Sequence, residues 1–362
     1  LTDILFFALL LMFLIIQKTG KKVLLFGLVA IAVFGFINAT SSASFQPSVY
    51  KWIKMFELFS LGVIVAKTKN LKVEDWLIKP LLLSTVAVSL IAVLQVIKGG
   101  SLGGPLYYLG ERAFSLSTPG IALATLGGRE VLRAYSVFSH PNSLAAFLGA
   151  GIILSSPFLL KRLRRAPFVV FLSLTIFAFM LTFSLGPALS LVTVAGIFLL
   201  FRKTSGNFAK LAKGFLFFFA VLSVALPLLA SSYAKFIKPF GESYSRRADL
   251  AIAAGKMFSE RPFFGIGLNN FTIRLPEKSV GQPFSWWLQP VHNIFLLSLS
   301  ETGLAGFLLL ILVFYLAIAR AGLYRKDYLV AALMFVVLTG FFDHYWLTLQ
   351  QIQLLLAMLF GL

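Results

Sequence analysis

Three histidines carry this chain's capacity for proton transfer near neutral pH, and there is no cysteine. Histidine is the side chain whose ordinary pKa lies closest to neutrality, so it is the natural acceptor for a hydroxyl proton. The three stand in "SHPN" (His140), "PVHN" (His292) and "FDHY" (His344), each at the edge of an apolar run. Without cysteine there is no disulfide framework, thiolate ligand or thiol nucleophile. Arginines form the second chemical set: Arg133 in "LRAYS", Arg246 and Arg247 in "SRRAD", and Arg261 in "ERPFF". A planar guanidinium fork holds two phosphate oxygens at once. Imidazole and guanidinium together suit a reaction in which a hydroxyl loses a proton while an anion is held. No Walker A run is present, nor an Asp-x-Asp pair or a His-x-x-x-His pair, so neither ATP hydrolysis nor a carboxylate-bound metal is expected. No cofactor is expected.

The elements that must position these groups are apolar. Of 362 residues, 59% are hydrophobic and only 12% charged, with a mean hydropathy of +0.91. A soluble domain carries about a quarter charged residues, so the reading is an all-α, polytopic transmembrane bundle. Eleven apolar runs are discernible: Asp3–Ile16, Val23–Asn38, Val49–Ala66, Pro80–Ile97, Asn142–Leu160, Pro167–Phe183, Gly186–Phe201, Gly214–Ser231, His292–Ala319, Tyr328–Phe342 and Leu347–Leu362. The first is short and the first residue is Leu, so a further N-terminal helix, the twelfth, belongs among the expectations. Alternate loops are basic, for example Lys67 to Lys79 and "KRLRR" at Lys161. The short loops of the other set lack Lys and Arg. The positive-inside rule puts the basic set in the cytoplasm, and the net charge of +19 is first a topological signal, with no nucleic-acid partner implied. All three histidines then fall on the outer face, with two long loops at 98–141 and 232–291. The chain is expected to be a single membrane-embedded domain over 1–362.

Several stretches admit two readings. His140-Pro141-Asn142 suits the start of a helix, with proline in the first turn and Asn142 and Ser143 satisfying free amides. Ser245 to Phe258 reads as an amphipathic helix lying on the membrane surface, with Leu250, Ala254, Met257 and Phe258 on its apolar face. Its arginines touch either a phosphate ligand or lipid headgroups. His292 and Asn293 open a span in which Glu301 lies about 13 Å deeper, a costly depth unless it faces protein. Asp343 and His344, beside Tyr345 and Trp346, read as an aromatic belt, with structural packing favoured.

Three blocks, in this order and on this face, resemble the O-antigen ligase and O-antigen polymerase superfamily: "HPN" at His140, the arginine helix ending "RPFFGIGLNNF", and "HN" followed by "ETGLAG". The resemblance covers roughly Arg133 to Gly306. It implies a metal-independent, inverting membrane glycosyltransferase of the C class. Such an enzyme moves a glycan from a polyprenyl diphosphate carrier to an acceptor hydroxyl on the outer face of the bacterial cytoplasmic membrane. His292 matches the essential histidine and Arg246 or Arg247 the essential arginine. Arg133, His140 and Asn142 match the block lining the outer cavity, and Asn293 and Arg261 complete the candidate donor contacts. One departure stands out. Many members have Ser-Arg in a tight outer turn, where this chain has Ser184-Leu185; Arg133, Arg112 or Arg261 are the candidate substitutes. The acceptor is left open between lipid, glycan and protein, corresponding to ligase, polymerase and oligosaccharyltransferase. A transporter of lipid-linked glycans and a non-catalytic binding protein are the other classes.

Overall fold

The computed structural model describes residues 21–68, 72–162, 165–201, 205–237, 242–278 and 288–362. The expected first span, Asp3–Ile16, lies outside them. In chain order the helices are α1 (Lys21–Thr40), α2 (Phe45–Lys67), α3 (Lys79–Lys98), α4 (Pro141–Arg162), α5 (Arg165–Met180), α6 (Leu185–Phe201) and α7 (Ser205–Ile237). They continue with α8 (Glu242–Glu260), α9 (Phe271–Lys278), α10 (Ile294–Leu323), α11 (Asp327–Phe342), α12 (Tyr345–Thr348) and α13 (Gln350–Gly361). Among the described residues, four helical stretches are long and apolar enough to cross a membrane: Glu74–Lys98, Pro141–Lys161, Asn207–Ser232 and Ile294–Leu323. Shorter apolar helices of 10–17 residues occupy several other runs.

Local chemistry explains the boundaries. Helical residues Glu74–Ile78 run directly into α3, so Pro80 lies inside a continuous helical stretch, and Gly99 ends it in the left-handed region at φ 74°. Pro141 opens α4, where its missing N–H is no loss. Among the described residues, one element departs from an all-helical reading. The loop before α4 contains an antiparallel hairpin, β1 (Leu123–Leu126) and β2 (Arg129–Leu132), with Leu126 opposite Arg129. Its two-residue turn, Gly127-Gly128, has φ of 57° and 78°, the pattern of a type I′ turn that suits the twist of paired strands.

The packing forms two compact units. The first comprises Leu1–Lys69, Lys210–Ala321 and Gly340–Leu362. Here α13 packs along α2, and Gly62 and Gly361 let the two backbones meet, since a Cβ on Gly361 would strike the Gly62 carbonyl. The apolar stripe expected on α8 is covered by protein: Leu250, Ala254 and Met257 are buried, and Gly255 lies against Pro227 of α7. That helix begins at Glu242, three residues before the expected start. The second unit comprises Asn70–Ala209 and Gly322–Thr339. In it α4 packs on α3, α5 and α6. Phe114, Leu132 and Tyr135 form a small core within the 98–141 loop region. The loop is anchored by buried Glu111, whose carboxylate accepts from Gln95 Nε2 and from the N–H groups of Leu102 and Gly103, each at 2.7 Å.

Candidate functional site

In the first unit the start of α10 is fixed by Asn293, which is buried. Its Oδ1 accepts from Leu296 N at 2.9 Å, capping the helix, while its Nδ2 donates to Ser223 Oγ at 2.9 Å and to the Phe341 carbonyl at 3.2 Å. Both ends of the Asn293 amide therefore hold structure, and the residue before it, His292, is set at a defined place.

That place is shared. The His292 ring packs edge-on against His344, with ring centroids 5.3 Å apart. His344 Nδ1 is 2.8 Å from Thr348 Oγ1, which leaves its Nε2 turned toward Asp343 Oδ1 at 3.8 Å. From α8, Arg247 Nη1 donates to the Phe342 carbonyl at 3.4 Å, which brings its charge to the same turn. The His344 imidazole is held below its ordinary pKa: burial lowers it, the Asp343 carboxylate opposes, and the Arg247 guanidinium lowers it again. The ligand atoms of His292, Asp343 and His344 lie within 4.8 Å of one another, a grouping of metal-ligating type among the described residues. The Arg247 guanidinium and the Asp343 carboxylate act on this cluster with opposite sign. His344 is the residue that sequence reasoning left to packing; the available signal was that its predicted outer end is also that of His292.

Behind this cluster two sequence blocks interlock. α10 breaks at Gly303, with φ 64° and ψ −168°. The "RPFFGIG" segment threads the break: Leu304 N donates to the Pro262 carbonyl at 2.7 Å and Ala305 N to Phe263 at 3.2 Å. In return, Ile266 N and Gly267 N donate to the carbonyls of Ser300 and Glu301, each at 3.0 Å. Glu301 Oε1 accepts from Phe271 N at 3.0 Å, at the start of α9. Asn38 of α1 joins the knot, donating to the Glu301 and Phe264 carbonyls and accepting from Leu268 N and Trp52 Nε1. These motif residues hold backbone together at helical depth, where unpaired amides are not tolerated. Arg261 donates to the Ser41 carbonyl. It stands just beyond the end of α8 opposite to Arg247, about 20 Å along the axis. Nearby, Arg274 and Lys278 pair with Glu260, and Arg274 also with Glu277 at 2.8 Å.

The second unit holds its own cluster. Arg133 Nε donates to the Thr182 carbonyl at 2.7 Å, and its Nη2 donates to Asn142 Oδ1 at 2.9 Å and to Ser184 Oγ at 3.1 Å. Ser184 Oγ in turn donates to Asn142 Oδ1 at 2.9 Å. Leu185, in the place of the superfamily arginine, is exposed, whereas the Arg133 guanidinium bonds to the neighbouring Ser184. His140 is exposed at the start of α4, its Nδ1 accepting from Asn142 N at 3.1 Å and its carbonyl from Ser143 N at 3.1 Å. It thus caps the helix, one of the two roles its sequence allowed. Arg112 stacks on Tyr135 at 5.4 Å and donates to the Ser139 carbonyl at 2.7 Å, next to His140.

A helical chain of membrane type, with imidazole and guanidinium gathered where helices meet loops, is the class these features define. The sequence model of the O-Antigen ligase family matches residues 168–311. Over that span, from α5 into α10, the chain is similar to the O-antigen ligase family, which supports the resemblance read from its motifs. The matched span contains Ser184, Arg246, Arg247, Arg261, His292 and Asn293; Arg133, His140, Asn142 and His344 lie beyond it. No curated protein and no solved structure matches the chain.

Proposed function

We propose that this O-antigen ligase-type membrane enzyme transfers a glycan from a polyprenyl diphosphate to an acceptor hydroxyl on the outer face of the cytoplasmic membrane, with inversion and without a metal. The observation that supports it best is the gathering of Arg247, Asp343, His344 and His292 at one turn. The acceptor O–H proton passes to the His292 imidazole as the oxygen bonds to the anomeric carbon. The bond from that carbon to the diphosphate breaks, and its electron pair leaves on the diphosphate. This leaving group is already anionic, so it needs charge rather than a proton, and fixed arginines supply that. Arg246 and Arg247 hold the diphosphate; Asp343 orients the imidazole pair. In the second unit Arg133 bonds to Ser184 and Asn142, beside the position at which the superfamily has its arginine. The presence of that guanidinium at Ser184 favours a working enzyme over a non-catalytic binding protein. The same proposal includes the eleven spans, the outer placement of loops 98–141 and 232–291, and one membrane-embedded domain. A lipid acceptor, hence ligase, is preferred on the family match; polymerase and protein oligosaccharyltransferase activity are the alternatives.

The test uses purified protein in proteoliposomes with a lipid-linked donor. His292→Ala is expected to abolish transfer while retaining donor binding. Arg246→Gln with Arg247→Gln is expected to weaken donor binding by about tenfold or more, the loss of charge-assisted hydrogen bonds. Full transfer by the histidine variant removes His292 from the mechanism. Donor movement across the bilayer without consumption, whatever the acceptor, identifies a transporter instead.

A further inference from the structure

The first unit holds a second feature that glycan transfer does not use. α2 carries Lys51, Lys54 and Glu57, charges that a membrane helix tolerates only on a protected face. Two cavities meet there. A polar pocket of about 250 Å³ is lined by Tyr50, Lys51, Lys54, Glu57 and Gln350 among others. An apolar cavity of about 410 Å³ continues between α2, α10 and α13, past Met55, Phe59, Val63, Leu356 and Phe360. Lys51, Leu58, Thr348 and Gln353 line both, so the two cavities are adjacent. A polar chamber beside an apolar one matches the two halves of an amphiphile.

The charges in the polar chamber are of both signs. Lys54 Nζ donates to Glu57 Oε2 at 3.2 Å. Glu57 Oε1 is buried and makes no hydrogen bond among the described residues. A buried carboxylate oxygen calls for a donor, and a primary ammonium is the donor of matching charge. Lys51 Nζ reaches Gln353 Oε1 only at 3.4 Å, so its ammonium can turn to a phosphate, and Lys54, paired with Glu57, adds positive charge beside it. The apolar chamber follows α2 from Lys51 to Ala66, about 22 Å at helical rise, enough for a lipid chain.

We propose that this double cavity binds one membrane phospholipid whose headgroup carries a primary amine beside its phosphate, the phosphate at Lys51 and Lys54 and the ammonium at Glu57. A purely anionic headgroup would face the Glu57 carboxylate, and Glu301 lines the adjoining chamber. A quaternary ammonium has no N–H for Oε1. A polyprenyl diphosphate, with its higher negative charge, fits the arginine-bearing turn of α8 better than a chamber with carboxylates.

The site is independent of the transfer reading, and its test measures lipid rather than activity. The full chain, delipidated in detergent, is reconstituted in vesicles with equal parts of phosphatidylethanolamine, phosphatidylcholine and phosphatidylglycerol plus a trace of polyprenyl phosphate. It is then re-extracted, and the bound lipid is quantified by mass spectrometry. The expected result is selective retention of phosphatidylethanolamine, reduced roughly tenfold in Glu57→Gln, the loss of one charge-assisted contact. Val63→Trp, which fills the apolar chamber and spares the headgroup groups, is expected to reduce it as well. Both variants are compared with the parent by gel filtration and thermal midpoint, so that loss of fold is recognised. Equal retention of the three phospholipids, preference for phosphatidylglycerol or phosphatidylcholine, unchanged retention in a folded Glu57→Gln, or polyprenyl phosphate as the species displaced by Val63→Trp each overturns the proposal.

Discussion

Replacing Gly303 by alanine is expected to be among the most damaging single methyl additions in this chain. Its backbone, at φ 64° and ψ −168°, lies in a region that only glycine occupies without strain. Forcing an L-residue there costs about 1–3 kcal/mol. The added Cβ would also lie 2.5 Å from the Phe263 carbonyl oxygen and 2.6 Å from Gly265 N, both backbone atoms that cannot swing away. Relief requires the "RPFFGIG" segment to withdraw, which breaks hydrogen bonds such as Leu304 N to Pro262 O and Ala305 N to Phe263 O. At about 1 kcal/mol per bond, the total is roughly 3–5 kcal/mol. The control is Gly196→Ala in α6, where a Cβ meets nothing within 4 Å and the substitution improves helix propensity by about 0.8–1.0 kcal/mol. The assay is thermal unfolding in detergent with limited proteolysis of the 261–271 segment. Gly303→Ala should unfold well below the parent and be cut in that segment; Gly196→Ala should match the parent or exceed it. Equal midpoints for the two variants, with the segment equally protected, would refute the threaded break.

Other expectations follow from single contacts. Arg133→Lys keeps the charge but loses the fork that reaches Thr182, Asn142 and Ser184, so it should weaken donor binding nearly as much as Arg133→Gln; rescue by lysine would show that charge alone matters. Asn293→Ala removes the cap of α10 and the donor to Ser223 Oγ, and should cost about 1–2 kcal/mol of stability, read in the same thermal assay. For Glu111, burial raises the carboxyl pKa, but hydrogen bonds from Gln95 and from the Leu102 and Gly103 amides outweigh it and leave the net value below the ordinary one. Its stabilisation is therefore present above the unfolded pKa and is lost as pH falls through the lower folded value. Protease protection of the 98–141 loop should fall in acid, and Glu111→Gln should flatten that limb of the profile.

The sequence by itself determined where helices form and what holds their ends. Long apolar runs leave the backbone no other way to satisfy its amides, and Pro141 marks a helix start that the structure reproduces. It also carried the chemical inventory, because three histidines and a few loop arginines leave little else to do acid–base and phosphate work. The hairpin at Leu123–Leu132 had a Gly-Gly signal that hydropathy obscured. What the linear pattern did not carry was partnership across distance. That His344 packs on His292, that Arg133 reaches Ser184, and that "RPFFGIG" threads a gap in α10 are contacts between residues tens of positions apart. A glycine reads the same whether it frees a turn or admits a second backbone. Only the tertiary structure decided that Gly303 does the latter, because steric room at a Cβ is set by what packs there and not by its neighbours in the chain.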